Sequence, residues 1–330
     1  LRHLGWDNDR VYPEPPTLFD DFAGRSRAVA DHDMGIDRTF TDLDAKLRPA
    51  PNMTDQQLQQ WNAYYEPRNE KFRAANPQGR DLVRWRYNRY MHDYLACVKA
   101  VDENVGRLMQ ALEEDGSASN TLVVFSSDQG FFLGEHGWFD KRWFYEESVR
   151  TPLLARWPGV IAPGSANRDL VSNLDFASTF LQAAGQPIPP DIQGRSLVPI
   201  FSGQTPADWR KSFYYHYYEY PGPHNVRKHY AVITDRYKLV RFYGVGEDYW
   251  ELFDNQQDPQ ELRSVYGEPA YAKVQEELTA ELTVVMALPP EVQAGSEVES
   301  GVGRDAHMEG PRRAVGHAGD DRAAAKAAMR

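Results

Sequence analysis

Asp128 and Gln129 stand side by side in the stretch TLVVFSSDQGFFLGEHGWFDKRWFYEESVRTPLLARWP, residues 121–158. A carboxylate and a side-chain carbonyl placed together are hard oxygen donors, suited to Ca2+ or Mg2+. His136, Asp140 and Lys141 follow within the same stretch. A lysine ammonium is a compact point charge for an anion. Taken alone, an Asp-Gln pair is a polar turn and a single lysine is a solvated charge. The chemistry depends on what positions them.

Thr121 to Phe125 is a short apolar, β-branched run bounded by Asn120 and by Ser126-Ser127, and reads as a buried strand. Asp128 and Gln129 fall at its carboxyl end, the edge at which open α/β sheets bind ligands. Gly130 permits a sharp turn there. A Gly-rich loop carries His136, Asp140 and Lys141, a short helical segment spans Tyr145 to Val149, and Pro152 to Trp157 reads as a second buried strand.

Four pieces in order, Ser127-Asp128-Gln129-Gly130, Gly134-Glu135-His136-Gly137, Lys141, and Tyr145-Glu146-Glu147-Ser148-Val149-Arg150-Thr151-Pro152-Leu153, resemble the second signature region of the type I sulfatases, in the alkaline-phosphatase-like superfamily. A weaker resemblance extends from about His3 to the helix near Leu282. It implies an α/β fold: an alkaline-phosphatase-like sandwich, with a small antiparallel-sheet subdomain and helix at the C-terminal end. It makes Asp128 and Gln129 two of four ligands to Ca2+, or to Mg2+, and puts Lys141 on the substrate sulfate. His136 joins Lys141 in the catalytic set. Family members attack sulfur with a hydrated formylglycine. The implied partners are a sulfated carbohydrate and a formylglycine-generating or anaerobic maturation enzyme. The implied location is periplasmic or extracellular in a bacterium.

The modification motif of that family needs Cys or Ser, then Pro two residues on and Arg four on. Cys97 is followed by Val98, Lys99, Ala100 and Val101, and no serine fits either. The chain also opens at Leu1 with no signal-peptide pattern. The expectation is therefore a C-terminal portion whose nucleophile-bearing part is absent, inactive on its own. Two other readings stand beside a sulfatase of sugars or polysaccharides. One is a phosphodiesterase or phosphonate hydrolase of the same superfamily; the other is a non-catalytic glycan-binding homologue.

The composition narrows the classes. The 330 residues suffice for a sizeable core. A net charge of −11 argues against nucleic acid held on a basic surface. No apolar run is long enough to span a bilayer. A single cysteine rules out an internal disulfide framework, and its helical setting suggests a small core residue.

Three regions follow from the patterning: 1–203 as a partial α/β domain, 204–288 as an α+β subdomain, and 289–330 as a disordered tail. Residues 1–53, rich in Pro, Asp and Arg, read as a long ordered loop in which His3 is structural. Thr54 and Gln57 form a capping box for a helix through about Tyr65. A second helix runs from about Asp81 to Glu114, with Met91, Leu95, Val98, Val101, Val105, Leu108 and Leu112 as its buried face. A helix over Asn173 to Ala184 ends at Gly185. Beyond residue 203, SFYYHYYEY over Ser212 to Tyr220 reads as a strand. A hairpin turns across Thr234 to Tyr237, a strand covers Trp250 to Phe253, and a helix starts at about Tyr271. His216, His224 and Arg227 are the candidate substrate contacts on this cleft wall. His307 and His317, in the tail, are not credible ligands.

Overall fold

In the computed structural model of the protein, residues 2–7, 9–244 and 247–286 are described. The tail expected over 289–330, with His307 and His317, lies outside the described residues.

The N-terminal fifty residues run as a long loop with one helical turn, α1 (Arg27–Ala30). The loop is pinned by apolar anchors: Leu18, Val29, Met34 and Ile36 are all buried. The expected capping box then starts α2 (Asp55–Ala75), with the Gln57 N–H donating to Thr54 Oγ1 and the Thr54 N–H to Gln57 Oε1. This helix continues ten residues past the expected end, through Pro67. Trp61, Tyr65 and Asn69 carry one buried stripe across the proline, so packing outweighs the missing backbone donor.

Helix α3 (Gly79–Glu114) is the longest element and stops before Gly116 at φ +77°. Its first turns bury Val83 and Tyr87 against Tyr12, Leu18 and Ile36. The expected apolar face does not stay covered. Val98, Val101 and Leu108 are 43%, 50% and 67% exposed, and Cys97 is exposed as well. Periodicity identifies an apolar stripe but not whether a layer lies upon it.

The same correction applies to the strands that follow. β1 (Val123–Ser126) leads through the short pair β2 (Phe132–Leu133) and β3 (Phe139–Asp140), then α4 (Glu146–Val149), to β4 (Leu153–Arg156). β1 and β4 pair antiparallel, Val123 opposite Arg156 and Ser126 opposite Leu153, as a two-stranded ribbon among the described residues. Phe125 and Leu154 are exposed, so neither strand is buried as expected.

Helix α5 (Asp175–Ala183) ends before Gly185, and α6 (Val198–Phe201) follows the Gly194-Arg195-Ser196-Leu197 element. Gly194 is required there, because an added Cβ would lie 1.8 Å from the Leu174 carbonyl oxygen.

The aromatic stretch becomes β5 (Ser212–Tyr217), the edge of a four-stranded antiparallel sheet with β6 (His229–Thr234), β7 (Tyr237–Gly244) and β8 (Glu247–Asp254) in sequential order. α7 (Ala272–Met286) closes it. One face packs Leu278 and Leu282 of α7 on Tyr230, Val232, Leu239 and Leu252. The other packs Ala231, Val240, Phe242 and Phe253 against Trp138, Trp143, Phe144 and Tyr145. Each such fully buried side chain contributes about 1.5–3 kcal/mol. The change of architecture near residue 203 is thus no break in packing, and residues 2–286 belong to one compact unit. No helix among the described residues is long and apolar enough to cross a membrane.

Candidate active site

The Asp128 turn is held mainly through its backbone. Asn173 Nδ2 donates to the Asp128 carbonyl at 3.2 Å, and the Gly130 N–H donates to the Ser148 carbonyl at 2.7 Å. A Cβ at Gly130 would lie 2.0 Å from the Glu147 carbonyl oxygen, so only glycine lets the turn close on α4. The Asp128 side chain is exposed and takes one contact, 3.3 Å from Ser127 Oγ.

Lys141 leaves β3 on a loop whose flanks cannot move freely. Trp138, Trp143, Phe144 and Tyr145 are fully buried around it. Asp140 adopts φ +73°, an uncommon conformation for which Asp is better suited than most residues. Its Oδ1 accepts the Lys141 N–H at 2.6 Å and a bond from Arg142 Nη1, and its Oδ2 lies 3.3 Å from His224 Nε2. Burial alone would raise the Asp140 carboxyl, but the bonds from His224 and Arg142 bring it down to about 2. The same pairing raises His224 against the opposing effect of burial, helped by the Asp33 carbonyl at 2.8 Å from its Nδ1. Among the described residues, no ion pair or hydrogen bond engages the Lys141 ammonium.

The sequence-predicted residues separate into three groups. The turn of Asp128 and Gln129 and the loop of Lys141 are both bonded to Ser148 of α4, the first through Gly130 and the second through the Lys141 carbonyl. His224 joins them through Asp140. Arg227 is drawn into support: it pairs with Asp31, donates to Tyr220 Oη and stacks on the Tyr220 ring at 4.5 Å.

His136 and His216 require correction. His136 is 1% exposed in a left-handed turn, φ +55°. Phe132, Trp138 and Tyr145 wall it in, its Nδ1 lies 2.8 Å from Asp20 Oδ2, and its Nε2 is 3.9 Å from Glu147 Oε2. The ring is thus packed in the interior of the loop, between Asp20 and Glu147. Beneath it Arg25 ion-pairs with Asp20, whose carboxyl is held to about 2 by His136 and Arg25 in spite of burial.

His216 alternates with Tyr215 and Tyr217, which pack on the Trp143 side. It lies with Tyr214, Tyr230 and Tyr243 on the α7 face, its Nε2 2.6 Å from Tyr243 Oη. The sheet therefore separates it from Lys141.

Asp140 and Arg142, to which the sequence assigned no role, bracket Lys141 and pair with each other. Their signal is a charged triplet, Asp140-Lys141-Arg142, embedded between aromatic residues.

The donor set can be tested against a hard cation. The Asp128 carboxylate has one weak partner, and Gln129 contributes an amide oxygen, which suits Ca2+. The described residues hold no cluster of three His, Cys, Asp or Glu that could complete a site around them.

Comparison with known proteins places the geometry. A family model described as "Sulfatase" matches residues 5–186, and one described as "N-sulphoglucosamine sulphohydrolase, C-terminal" matches residues 134–287. An N-acetylglucosamine-6-O-sulfatase of Bacteroides thetaiotaomicron is 47% identical over 295 residues, covering 84% of this chain and 53% of the relative. The solved structure of BT4656 in complex with its substrate, D-glucosamine-2-N,6-O-disulfate, matches with a TM-score of 0.83 at 44% identity, over 88% of this chain and 63% of that one. A phosphonate monoester hydrolase of Agrobacterium radiobacter matches with a TM-score of 0.55 at 25% identity, over 62% and 42% of the two chains. The chain spans about half the length of the first of these relatives.

Proposed function

The chain belongs to the sulfatase family, with the alkaline-phosphatase-like α/β fold, and from that premise we propose that the protein hydrolyses the 6-O-sulfate ester of a glucosamine-type sugar. One observation carries the reading. The ammonium of Lys141 has no partner among the described residues, and its chain neighbour Asp140 pairs with Arg142 and His224. A sulfated sugar needs both parts: a cation for the sulfuryl oxygens, and a carboxylate–imidazole pair for hydroxyl groups.

Cleavage shifts negative charge onto the leaving oxygen and the sulfuryl group. Lys141 neutralises that charge. Asp140, ionised over the whole physiological range, accepts from a sugar hydroxyl, while His224, whose two ring nitrogens face Asp140 and the Asp33 carbonyl, holds that carboxylate in place. Asp128 and Gln129 would hold Ca2+, which supplies charge neutralisation and lowers the pKa of a nucleophile. The attacking group in this reading is a formylglycine outside these 330 residues, produced by a maturation enzyme, and the location is periplasmic or extracellular.

The test uses the protein expressed from its complete gene. It should release sulfate from N-acetylglucosamine 6-sulfate and from D-glucosamine-2-N,6-O-disulfate faster than it releases phenol from a phenyl phosphonate monoester. The reverse order would favour a phosphonate hydrolase, the reading that the 25% identical structure supports.

A further inference from the structure

We propose that Ser148 is a positioning residue that fixes Lys141 relative to the Asp128–Gln129 turn, a role that rests on the sulfatase reading for its functional meaning. Ser148 is 5% exposed. A serine within a helix ordinarily bonds back to the carbonyl three or four residues earlier, or points to solvent. Ser148 instead sends its hydroxyl seven residues back, donating to the Lys141 carbonyl. Its own carbonyl accepts the Gly130 N–H at 2.7 Å. One residue therefore grips both arms of the site, the first through its side chain and the second through its backbone.

The helix that carries Ser148 is itself anchored. The Glu146 N–H donates to Glu261 Oε2 at 2.8 Å. Lys238 of β7, fully buried, lies 3.0 Å from Glu146 Oε1 and 2.7 Å from Glu261 Oε1. Asn255 Nδ2 donates to Glu146 Oε1 at 3.3 Å. Removing either member of such a buried pair would leave an uncompensated charge, so the anchor is stiff. The seat of Lys141 is thus referenced through α4 to the C-terminal sheet. Placement of a reacting group matters at the scale of 1 Å, where errors cost up to ~10²-fold in rate.

A double-mutant cycle on the protein expressed from its complete gene tests this, with N-acetylglucosamine 6-sulfate as substrate. Ser148→Ala should lower kcat by about tenfold or more and change KM much less, since Lys141 acts as charge develops. In a Lys141→Ala background the same change should cost almost nothing further, because its route to the reaction is gone. Independent, additive losses would overturn the proposal. If Ser148→Ala does not fold, Ser148→Cys keeps the shape with a weaker donor, and the cycle is read from it.

Hydrogen exchange supplies a readout independent of turnover. Ser148→Ala should speed exchange at the Lys141, Arg142 and Gly130 amides and leave β6 and β7 unchanged. Unaltered exchange at those three amides would also overturn the proposal. A wild-type protein that releases no sulfate, yet shows the exchange change, would sink the sulfatase reading while sustaining the clamp.

Discussion

The two arms of the candidate site are built differently. The Lys141 loop is flanked in the chain by four fully buried aromatic residues and tied by Asp140 to Arg142 and His224. Asp128 itself is exposed, and its half-buried turn is held chiefly by two bonds to its backbone. The first arm is finished by this chain's own packing. In the proposed reading the second offers its oxygen atoms to a cation. A residue that must meet a substrate anion in one orientation benefits from a rigid seat. A carboxylate and an amide that join a shared coordination shell gain their order from the cation.

That contrast can be broken most sharply at Lys141. Lys141→Ala should lower kcat/KM for the 6-sulfated sugar by ~10²-fold or more, the scale for one lost transition-state charge donor. Its melting temperature should barely change, because no ion pair among the described residues depends on the ammonium. Lys141→Arg should recover only part of the rate, since a planar fork does not reproduce a compact ammonium. Equal kcat/KM for wild type and Lys141→Ala at equal calcium occupancy would leave the lysine a solvated loop residue.

The second arm predicts the opposite pattern. Asp128→Ala should weaken calcium binding, measured by titration calorimetry, by at least the ~10–100-fold known for outer-shell partners of metal ligands. Without calcium the variant should be as stable as the wild type, given its single 3.3 Å contact with Ser127. Gln129→Ala should be milder, a neutral oxygen being the weaker ligand. Unchanged affinity in Asp128→Ala would remove the turn from the metal site.

A smaller effect separates the two faces of the C-terminal sheet. His224→Ala should raise KM by about tenfold, the scale of one charge-assisted hydrogen bond. His216→Ala, on the α7 face, should leave KM within about twofold of wild type. Comparable KM changes in both would place the substrate differently.

The smallest effect is a pH dependence of stability from the His224–Asp140 pair. His224 is raised, so its contribution is complete below its ordinary 6.5 and is lost as pH climbs through the folded value. Asp140 is lowered to about 2, so its contribution is present above its ordinary 3.8 and is lost as pH falls toward 2. The stability difference between wild type and His224→Ala should therefore peak between these two limits. A difference that stays flat from pH 4 to 8 would refute the pairing.

What could be read in advance followed the range of the interactions. The capping box at Thr54 and the hairpin across Thr234 to Tyr237 are local, and both formed where the residues required. The spacing of Lys141 behind Asp128 is also local, and α4 joins the two. The buried setting of His136 was not legible because Asp20, its partner, lies 116 residues away. His216 was assigned to a wall because alternation tells which residues share a face, not which face α7 covers. Val98, Val101 and Leu108 of α3 have helical spacing, yet their exposure depends on neighbours that periodicity does not report.

The central claim is that Lys141 meets the sulfate. The most direct measurement is a crystal structure of the protein, expressed from its complete gene, with N-acetylglucosamine 6-sulfate bound. A sulfate oxygen should lie about 2.7–3.2 Å from Lys141 Nζ, with a sugar hydroxyl on Asp140. A sulfate bound elsewhere, with the Lys141 ammonium facing only water, would contradict it.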